Sequence, residues 1–259
     1  MLLSDKVAIV YGAAGSVGSA VARAFARAGA TVVLAGRTLA TLEPVAAAIA
    51  ADGGRAECAT VDAVDQRAVD AHTDAVGARH GRIDIAFNAI GLGDTQGQPL
   101  ADMRPDRFFA PIDTAMKAQL FTALAVARHM KGSGVILAIT ANCGRQPFPN
   151  VGGFGVACAA IEGLSRQLAT ELGPRGIRVI CLMSAGSPDS RGVSEVFDLH
   201  AKNAGISRAE WDRQAGLGTM LRHLPSLAEI ADAAVLMASD KARGMTATIV
   251  NLTCGQLAD

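Results

Sequence analysis

The sequence predicts an α/β protein in which one doubly wound parallel sheet carries helices on both faces. Three observations predict this class. Short apolar runs alternate along the chain with Ala-rich segments of helical length. The runs are almost continuously apolar, as strands covered on both faces require. A glycine-rich turn joins the first run to the first helical segment, as at the start of a βαβ unit.

The apolar and β-branched runs predict the strands in chain order. Six runs are strongly apolar: Val7–Val10, Thr31–Leu34, Ile83–Phe87, Val135–Thr140, Ile177–Met183 and Thr248–Leu252. A seventh run, Ala56–Val61, is more polar and is the weakest of the predicted strands. Because strands and helices alternate, right-handed crossovers place these strands in a single parallel sheet.

The Ala-rich segments between the runs predict six helices. They are Ser16–Ala28, Leu39–Ala51, Gln66–His80, Thr114–Met130, Phe154–Leu172 and Leu227–Ala238. Gly29, Gly53 and the Gly173-Pro174 pair follow three of them, as helix-ending residues do. Residues 1–259 are therefore predicted to form a single domain.

Composition and charge exclude several classes of protein. Half of the residues are hydrophobic, and 24 Lys+Arg balance 24 Asp+Glu, so the chain lacks the basic face that nucleic-acid binding requires. No run approaches the ~18 apolar residues of a membrane helix, and the first residues lack the pattern of a signal peptide. The five cysteines and five histidines lack metal-ligand or disulfide-frame spacing. We expect a cytoplasmic protein with no metal, nucleic-acid or membrane partner.

One segment interrupts the alternation of strands and helices. Residues Ser184–Leu224 are predicted to form a long irregular insertion after the sixth strand. An insertion at the carboxyl end of a strand lies over the crevice where open α/β sheets bind ligands. The segment is therefore the predicted substrate loop, although its residues do not name the substrate.

The turn after the first strand reads Gly-Ala-Ala-Gly-Ser-Val-Gly from Gly12 to Gly18. Glycines in such a turn let a pyrophosphate approach the backbone, and its charge then lies at the N-terminus of the next helix. The sequence predicts a dinucleotide site with contacts from Gly12, Gly15, Ser16, Val17 and Gly18. A tight turn without a ligand is the alternative.

The end of the second strand indicates which dinucleotide binds. An acidic residue about 20 positions after the turn would bind the ribose 2′-hydroxyl of NAD. No Asp or Glu occurs from Ser19 through Leu42, and the strand ends instead in Gly36-Arg37-Thr38. Arg37 offers a fixed positive fork to a 2′-phosphate, so NADP(H) is favoured over NAD(H). A solvated cation at the strand end is the alternative for Arg37.

With these motifs the chain resembles the short-chain dehydrogenase/reductase family over essentially its whole length. The turn is similar to that family's Thr-Gly-x-x-x-Gly-x-Gly, with Tyr11 for the Thr and Ser16 for the middle Gly. Val61-Asp62-Ala63 resembles the strand end that contacts the adenine. Phe87-Asn88-Ala89-Ile90-Gly91 resembles the Asn-Asn-Ala-Gly segment.

The resemblance implies a Rossmann-type fold with further cofactor contacts and a defined assembly. It adds four residues to the predicted cofactor site: Asp62, Ala63, Asn88 and Ala89. For Asn88, a turn residue at a strand end is the alternative. The family also pairs its two long helices between subunits, so Thr114–Met130 and Phe154–Leu172 imply a homodimer or homotetramer.

The family's catalytic groups are missing from the matching positions. The family uses a Tyr as acid and base, a Lys four residues later, a preceding Ser and a helix Asn. These positions hold Phe154, Cys158, Ala141 and Ala115, respectively. The register is not slipped, because Glu162-Gly163-Leu164 follows as in the family. The only Tyr in the chain is Tyr11, and a Phe transfers no proton.

Two of the remaining polar residues are candidate catalytic residues. Asn142 can donate to a developing oxyanion, with a turn residue as the alternative. The thiol of Cys158 beside a cationic nicotinamide would have a lowered pKa, with a small buried apolar side chain as the alternative. Asp189 and His200 in the insertion are further possible acids, unless they only brace the loop. Lys117 is expected on the surface.

Three function hypotheses follow. The first is an atypical NADP(H)-dependent oxidoreductase that works without the Tyr/Lys pair, on an activated alkene, an iminium ion or a substrate with its own acid. The second is a non-redox isomerase, cyclase or dehydratase, and the third is a catalytically silent binding protein. Hydride consumption with a native substrate separates the first hypothesis from the other two.

Overall fold

The computed structural model describes residues 1–258 and contains a seven-stranded parallel sheet. The strands are β1 (Val7–Tyr11), β2 (Thr31–Gly36), β3 (Arg55–Thr60), β4 (Ile85–Asn88), β5 (Gly134–Ala141), β6 (Ile177–Ser184) and β7 (Thr248–Leu252). Their order in the sheet is β3-β2-β1-β4-β5-β6-β7. The order changes direction between β1 and β4, and ligands bind at such a switch point. The predicted fold class is confirmed.

Residues 1–258 contain eight α-helices, of which six cover the two faces of the sheet. They are α1 (Ser16–Arg27), α2 (Leu39–Ala51), α3 (Gln66–His80), α4 (Pro105–His129), α5 (Phe154–Leu172), α6 (Arg191–Asn203), α7 (Arg208–Leu217) and α8 (Leu227–Ala238). Helices α1, α2 and α8 share one apolar core, and α3, α4 and α5 share the other. Along β1, Ala8 and Val10 enter the first core, whereas Ile9 and Tyr11 enter the second. This alternation explains why the strand is apolar throughout.

Two sequence-based expectations about elements are wrong. Helix α4 begins at Pro105 rather than at Thr114, because Pro105 occupies the first turn, where a missing N–H costs nothing, and Pro111 is accommodated within the helix. The segment Ser184–Leu224 is not irregular, since it contains α6 and α7. Of the helices described over residues 1–258, none is long and apolar enough to cross a membrane.

The helices of the insertion are held together by a cluster of side chains around Arg208. Its guanidinium donates to the carbonyl and hydroxyl oxygens of Ser194 at 2.8 Å and pairs with Asp198 and Asp212. The Trp211 ring of α7 lies parallel to the His200 ring of α6, with centroids 5.7 Å apart. The two helices therefore form one unit above the carboxyl edge of the sheet.

Candidate active site

A cavity of about 510 Å³ lies at the carboxyl edge of the sheet, under α6 and α7. Its wall runs from the start of α1, past the ends of β4, β5 and β6, to the insertion. Most of the lining is apolar: Val17, Ile90, Leu92, Phe148, Val151, Phe154, Val193, Val196, Phe197 and Trp211. The sequence predicted the ligand crevice at this edge of the sheet. It did not predict that aromatic side chains of the insertion, Phe197 and Trp211, form the roof of the cavity.

The glycine-rich turn comes so close to the end of β4 that side chains are excluded. Gly12 has φ +75°, and a Cβ there would overlap the carbonyl oxygen of Ala89. A Cβ on Gly18 would overlap the backbone of Gly12. These two glycines are therefore required for the packing of the turn itself, in addition to any ligand.

The N-terminus of α1 is left open by this turn. No side-chain hydrogen bond caps it, which is also true of α2, α4, α5 and α6, whereas side-chain oxygens cap α3, α7 and α8. The first backbone N–H groups of a helix need acceptors, and they attract an anion. The turn thus offers a pyrophosphate both space and hydrogen-bond donors.

Two serines beside the turn connect it with the insertion. The Ser16 hydroxyl accepts a hydrogen bond from the backbone N–H of Arg191 at 3.2 Å, which anchors the start of α6. Ser187 lines the cavity with only 2% of its surface exposed, and its hydroxyl has no hydrogen-bond partner within residues 1–258. A buried hydroxyl without a partner is costly, so Ser187 fits a contact to a bound cofactor. The sequence predicted Ser187 among the polar residues near the nicotinamide end but gave it no specific contact.

The predicted 2′-phosphate and adenine residues lie on adjacent strand ends. The backbone N–H of Val61 donates to the carbonyl of Gly36 at 2.9 Å, so Arg37 and Asp62 follow neighbouring strands. Arg37 is exposed and makes no ion pair within residues 1–258. Asp62 is also exposed, and its carboxylate accepts from the backbone N–H of Val64, whereas Ala63 is buried. Arg37 is therefore available to an external anion.

Asn88 is a positioning residue, and its neighbour faces the cavity. The Asn88 amide donates to the hydroxyl of Thr122 at 3.1 Å and to the carbonyl of Ala118. Its side-chain oxygen accepts from the N–H of Ile90. These bonds tie the end of β4 to α4, and they leave Ala89 at the cavity wall.

The cavity floor, formed by the end of β5 and the start of α5, holds some of the residues that the sequence resemblance predicted at catalytic positions. Phe154, the first residue of α5, and Ala141, the last of β5, both line the cavity. Ala115 is fully buried in an apolar cluster with Ala157 and is not part of the lining. None of these three side chains can donate or accept a proton.

The two candidate catalytic residues also lie on this floor. The Asn142 amide donates to the side-chain oxygen of Gln256 at 3.0 Å, a partner that no local motif predicted. Cys158 is 1% exposed, and the Cys143 thiol donates to its sulfur across 4.0 Å. This hydrogen bond lowers the pKa of the Cys158 thiol, against the opposing effect of burial, and it raises the pKa of Cys143.

Of the two possible acids that the sequence offered in the insertion, His200 lines the cavity and Asp189 does not. A ring nitrogen of His200 lies 3.1 Å from the side-chain oxygen of Gln96, and burial lowers the pKa of His200. Asp189 instead accepts from the backbone N–H of Leu227 at 3.0 Å and braces α8. Lys117 pairs with Asp113 on the surface.

Tyr11 cannot replace the missing acid. Its hydroxyl is buried in the core between the sheet and α3, and burial raises its pKa far above the ordinary value. No group of three or more His, Cys, Asp or Glu side chains within residues 1–258 is arranged to hold a metal ion.

Comparison with known proteins agrees with this architecture. A family model described as enoyl-(acyl carrier protein) reductase matches residues 12–256. A 3β-hydroxysteroid dehydrogenase of Mediterraneibacter gnavus is 27% identical over 95% of this chain and 92% of its own length.

Two solved structures have the same fold over nearly the whole chain. NAD⁺-bound xylitol dehydrogenase has a TM-score of 0.91 at 24% identity and covers 98% of this chain and 100% of its own. A short-chain dehydrogenase of Burkholderia cenocepacia in complex with NADP has a TM-score of 0.83 at 24% identity, with both chains fully covered. The two neighbours hold different dinucleotides, so they leave the preference of this chain open.

Proposed function

The chain belongs to the short-chain dehydrogenase/reductase family of oxidoreductases, and we propose that it is an NADP(H)-dependent reductase of activated carbon–carbon double bonds on apolar substrates. The observation that carries the proposal is the cavity floor. The cavity joins a glycine-rich turn, which has Ser16 in place of the family's middle Gly, to catalytic positions that hold Ala141, Phe154 and Cys158. Such a site holds a hydride donor and an apolar acceptor but offers no Tyr/Lys pair.

The residues around the turn fit NADP(H). The uncapped start of α1 would hold the pyrophosphate, Arg37 the 2′-phosphate, and Asp62 and Ala63 the adenine side. The unpartnered hydroxyl of Ser187 would contact the nicotinamide half. When bound, NADPH supplies a hydride; the remaining work falls to the residues of the chain.

An alkene conjugated to a carbonyl suits a floor without a phenol. Bound NADPH would supply hydride to the β-carbon, the π electrons would move to the carbonyl oxygen as an enolate, and a water molecule would protonate the α-carbon. The Asn142 amide has two N–H groups, and only one is used by Gln256, so the second can stabilise the enolate oxygen. Phe154 contributes an apolar part of the cavity wall against which the substrate would pack. The matching family model, described as an enoyl reductase, supports this reaction class.

The experiment is a comparison of acceptors with the full chain. We expect NADPH consumption with apolar enones or enoyl thioesters, and none with simple ketones or aldehydes of similar size. Reduction with deuterium-labelled NADPH should place the label on the β-carbon of the product. Ready reduction of simple ketones would overturn the mechanism, and the absence of hydride transfer to every enone and enoyl thioester would overturn the proposed reaction class.

We also propose a homodimer or homotetramer, built through α4 and α5. These helices pack together and leave Leu120, Leu124 and Val156 exposed by 36%, 43% and 48% on their outer surfaces. Burial of such side chains between subunits supplies the apolar area that stable assemblies need. Light scattering at micromolar concentration should give two or four chains per particle; a monomer would contradict the proposal.

A further inference from the structure

Two cysteine thiols meet on the cavity floor. Cys143 lies in the Asn142–Gly144 turn after β5, and Cys158 lies in the second turn of α5. Their sulfur atoms are 4.0 Å apart, and both residues line the cavity. All five cysteines are free thiols.

The fold brings these thiols together through two glycines. A Cβ on Gly144 would lie 3.0 Å from the Cβ of Cys158 and closer still to the backbone of α5. A Cβ on Gly155 would lie 2.7 Å from the carbonyl oxygen of Cys143. Only because both residues lack a side chain can the turn pack directly on the helix. The Arg145 guanidinium lies 3.0 Å from the Glu162 carboxylate, and this ion pair also joins the end of the turn to α5.

The two thiols are not equivalent. The Cys143 thiol donates to the Cys158 sulfur, and this lowers the pKa of Cys158, with help from a hydrogen bond to the Ala141 backbone. Burial and the carboxylates of Asp94 and Glu162 act in the opposite direction. The pKa of Cys143 is raised by the same thiol–thiol hydrogen bond. A thiolate is the nucleophilic form of cysteine, so the hydrogen bond from Cys143 favours Cys158 as the attacking member of the pair.

We propose that Cys143 and Cys158 form a redox-active dithiol, which a hydroperoxide converts into a disulfide across the cavity floor. A disulfide requires about 2.05 Å between the sulfur atoms, so the two thiols must approach from their present separation of 4.0 Å. Hydrogen peroxide is small enough to reach Cys158 through the cavity.

The chemistry proceeds in two steps. The Cys158 thiolate attacks one oxygen of the peroxide, the O–O bond breaks, and sulfenic acid and hydroxide form. The Cys143 sulfur then attacks the Cys158 sulfur, the S–O bond breaks, and water leaves with the Cys143 proton. In total, the dithiol loses two electrons and two protons, and one hydrogen peroxide becomes two waters.

The disulfide would change the cavity as well as the thiols. It would close the segment from 143 to 158, which carries Phe148, Val151 and Phe154 of the cavity wall. The oxidised protein would therefore present a more rigid wall to the substrate. This inference requires no hydride transfer, so it stands or falls independently of the proposed reductase activity.

Tryptic mapping tests the proposal directly. Trypsin cleaves after Lys131, Arg145 and Arg166, which separates the two cysteines into peptides 132–145 and 146–166. The folded, full-length protein is treated with hydrogen peroxide, freed of peroxide, denatured in the presence of excess alkylating reagent and digested without reductant. We expect the two peptides as one linked species, two hydrogen atoms lighter than their sum, and their separation by reductant.

Three variants sharpen the result. Cys143→Ser and Cys158→Ser should each abolish the linked species, and Cys143→Ser should leave a sulfenic acid on Cys158 that a dimedone reagent traps. Cys254→Ser, a half-buried cysteine outside the cavity floor, should form the link like the unmodified protein. Free, alkylatable Cys143 and Cys158 after peroxide treatment would overturn the proposal, as would a link that involves Cys58 or Cys254 instead.

Discussion

The two halves of the crevice differ in what their backbones and side chains permit. At the turn, Gly12 and Gly18 lie where any Cβ would overlap the backbone, and no side chain caps the N-terminus of α1. On the floor, Ala141 and Phe154 fill the space with groups that transfer no proton. One half has the geometry of a cofactor site, and the other lacks the usual acid. We therefore propose that binding of a dinucleotide and protonation of a carbonyl are separable properties of this fold.

The largest expected effect comes from restoring the missing groups. The triple change Ala141→Ser, Phe154→Tyr, Cys158→Lys introduces an oxygen ligand, an acid and a cation on the same helix face as the acid. General acid catalysis contributes about 10²–10⁴-fold, so kcat/KM for NADPH-dependent reduction of simple ketones should rise by at least about 10²-fold. Steady-state kinetics on a panel of ketones measures the gain.

The matched control is the double change Ala141→Ser, Phe154→Tyr, which lacks the cation and should gain less. The Lys replaces a side chain that is 1% exposed, so circular dichroism and thermal unfolding must show a folded triple variant. A folded triple variant with no more ketone reduction than the unmodified protein would contradict the assignment of these three positions.

The next largest effect concerns the glycine-rich turn at the cofactor half of the crevice. Gly18→Ala places a methyl group against the Gly12 backbone, so the turn must open. Overpacking of this kind costs about 1–3 kcal/mol or more, and the NADPH dissociation constant should rise about a hundredfold. Gly244→Ala is the control, because a Cβ there meets nothing within 4 Å. Calorimetric titration and thermal unfolding test both variants; equal NADPH affinity in both would contradict the role of the turn.

The parts of this molecule that the sequence predicted are those with local causes. The strands could be predicted because both faces of the sheet are covered, which makes each strand apolar throughout. The turn could be predicted because its glycines lie close together in the chain, from Gly12 to Gly18. The start of α4 could not, since a proline at position 111 usually ends or kinks a helix. The helices of the insertion were not predicted from the sequence, because Arg208 and Trp211 stabilise them through contacts between α6 and α7.

The cavity floor shows the same limit. Asn142 was identified by its position after a strand, but its partner Gln256 lies more than a hundred residues away in the chain. The approach of Cys143 to Cys158 depends on two glycines whose importance appears only when the turn packs on α5. Contacts of this kind have no period and no motif, so a single sequence does not reveal them.

A smaller effect tests the choice of dinucleotide. Arg37→Ala removes a charged contact worth about 1.5–3 kcal/mol, so the NADPH dissociation constant should rise by roughly tenfold to a hundredfold. The NADH dissociation constant should change little, because NADH has no 2′-phosphate. Arg27→Ala, which removes an exposed arginine at the far end of α1, is the control. Equal losses for NADPH and NADH would contradict the assignment of Arg37.

The smallest effect compares two histidines as causes of acid sensitivity: His72, which lies beside Tyr11 in the core next to α3, and His200 of the insertion, which lies over the cavity. His72 packs edge-on against Tyr11 beneath the turn, and neither ring nitrogen has a hydrogen-bond partner within residues 1–258. Burial lowers the pKa of His72 from 6.5 to about 4, because an imidazolium there would lack acceptors. The unfolded chain binds this proton at a higher pH than the folded chain does. Stability is therefore fully present above the unfolded pKa of 6.5 and is lost as the pH falls towards the folded pKa.

Denaturant unfolding at neutral pH and near pH 5 should show that His72→Phe removes about 1–2 kcal/mol of this acid-induced loss of stability. His200→Phe, in the more open roof, should remove less, because water reaches that ring. If the two variants flatten the pH dependence equally, or if His200→Phe flattens it more, burial beneath the turn is not the dominant cause of acid sensitivity.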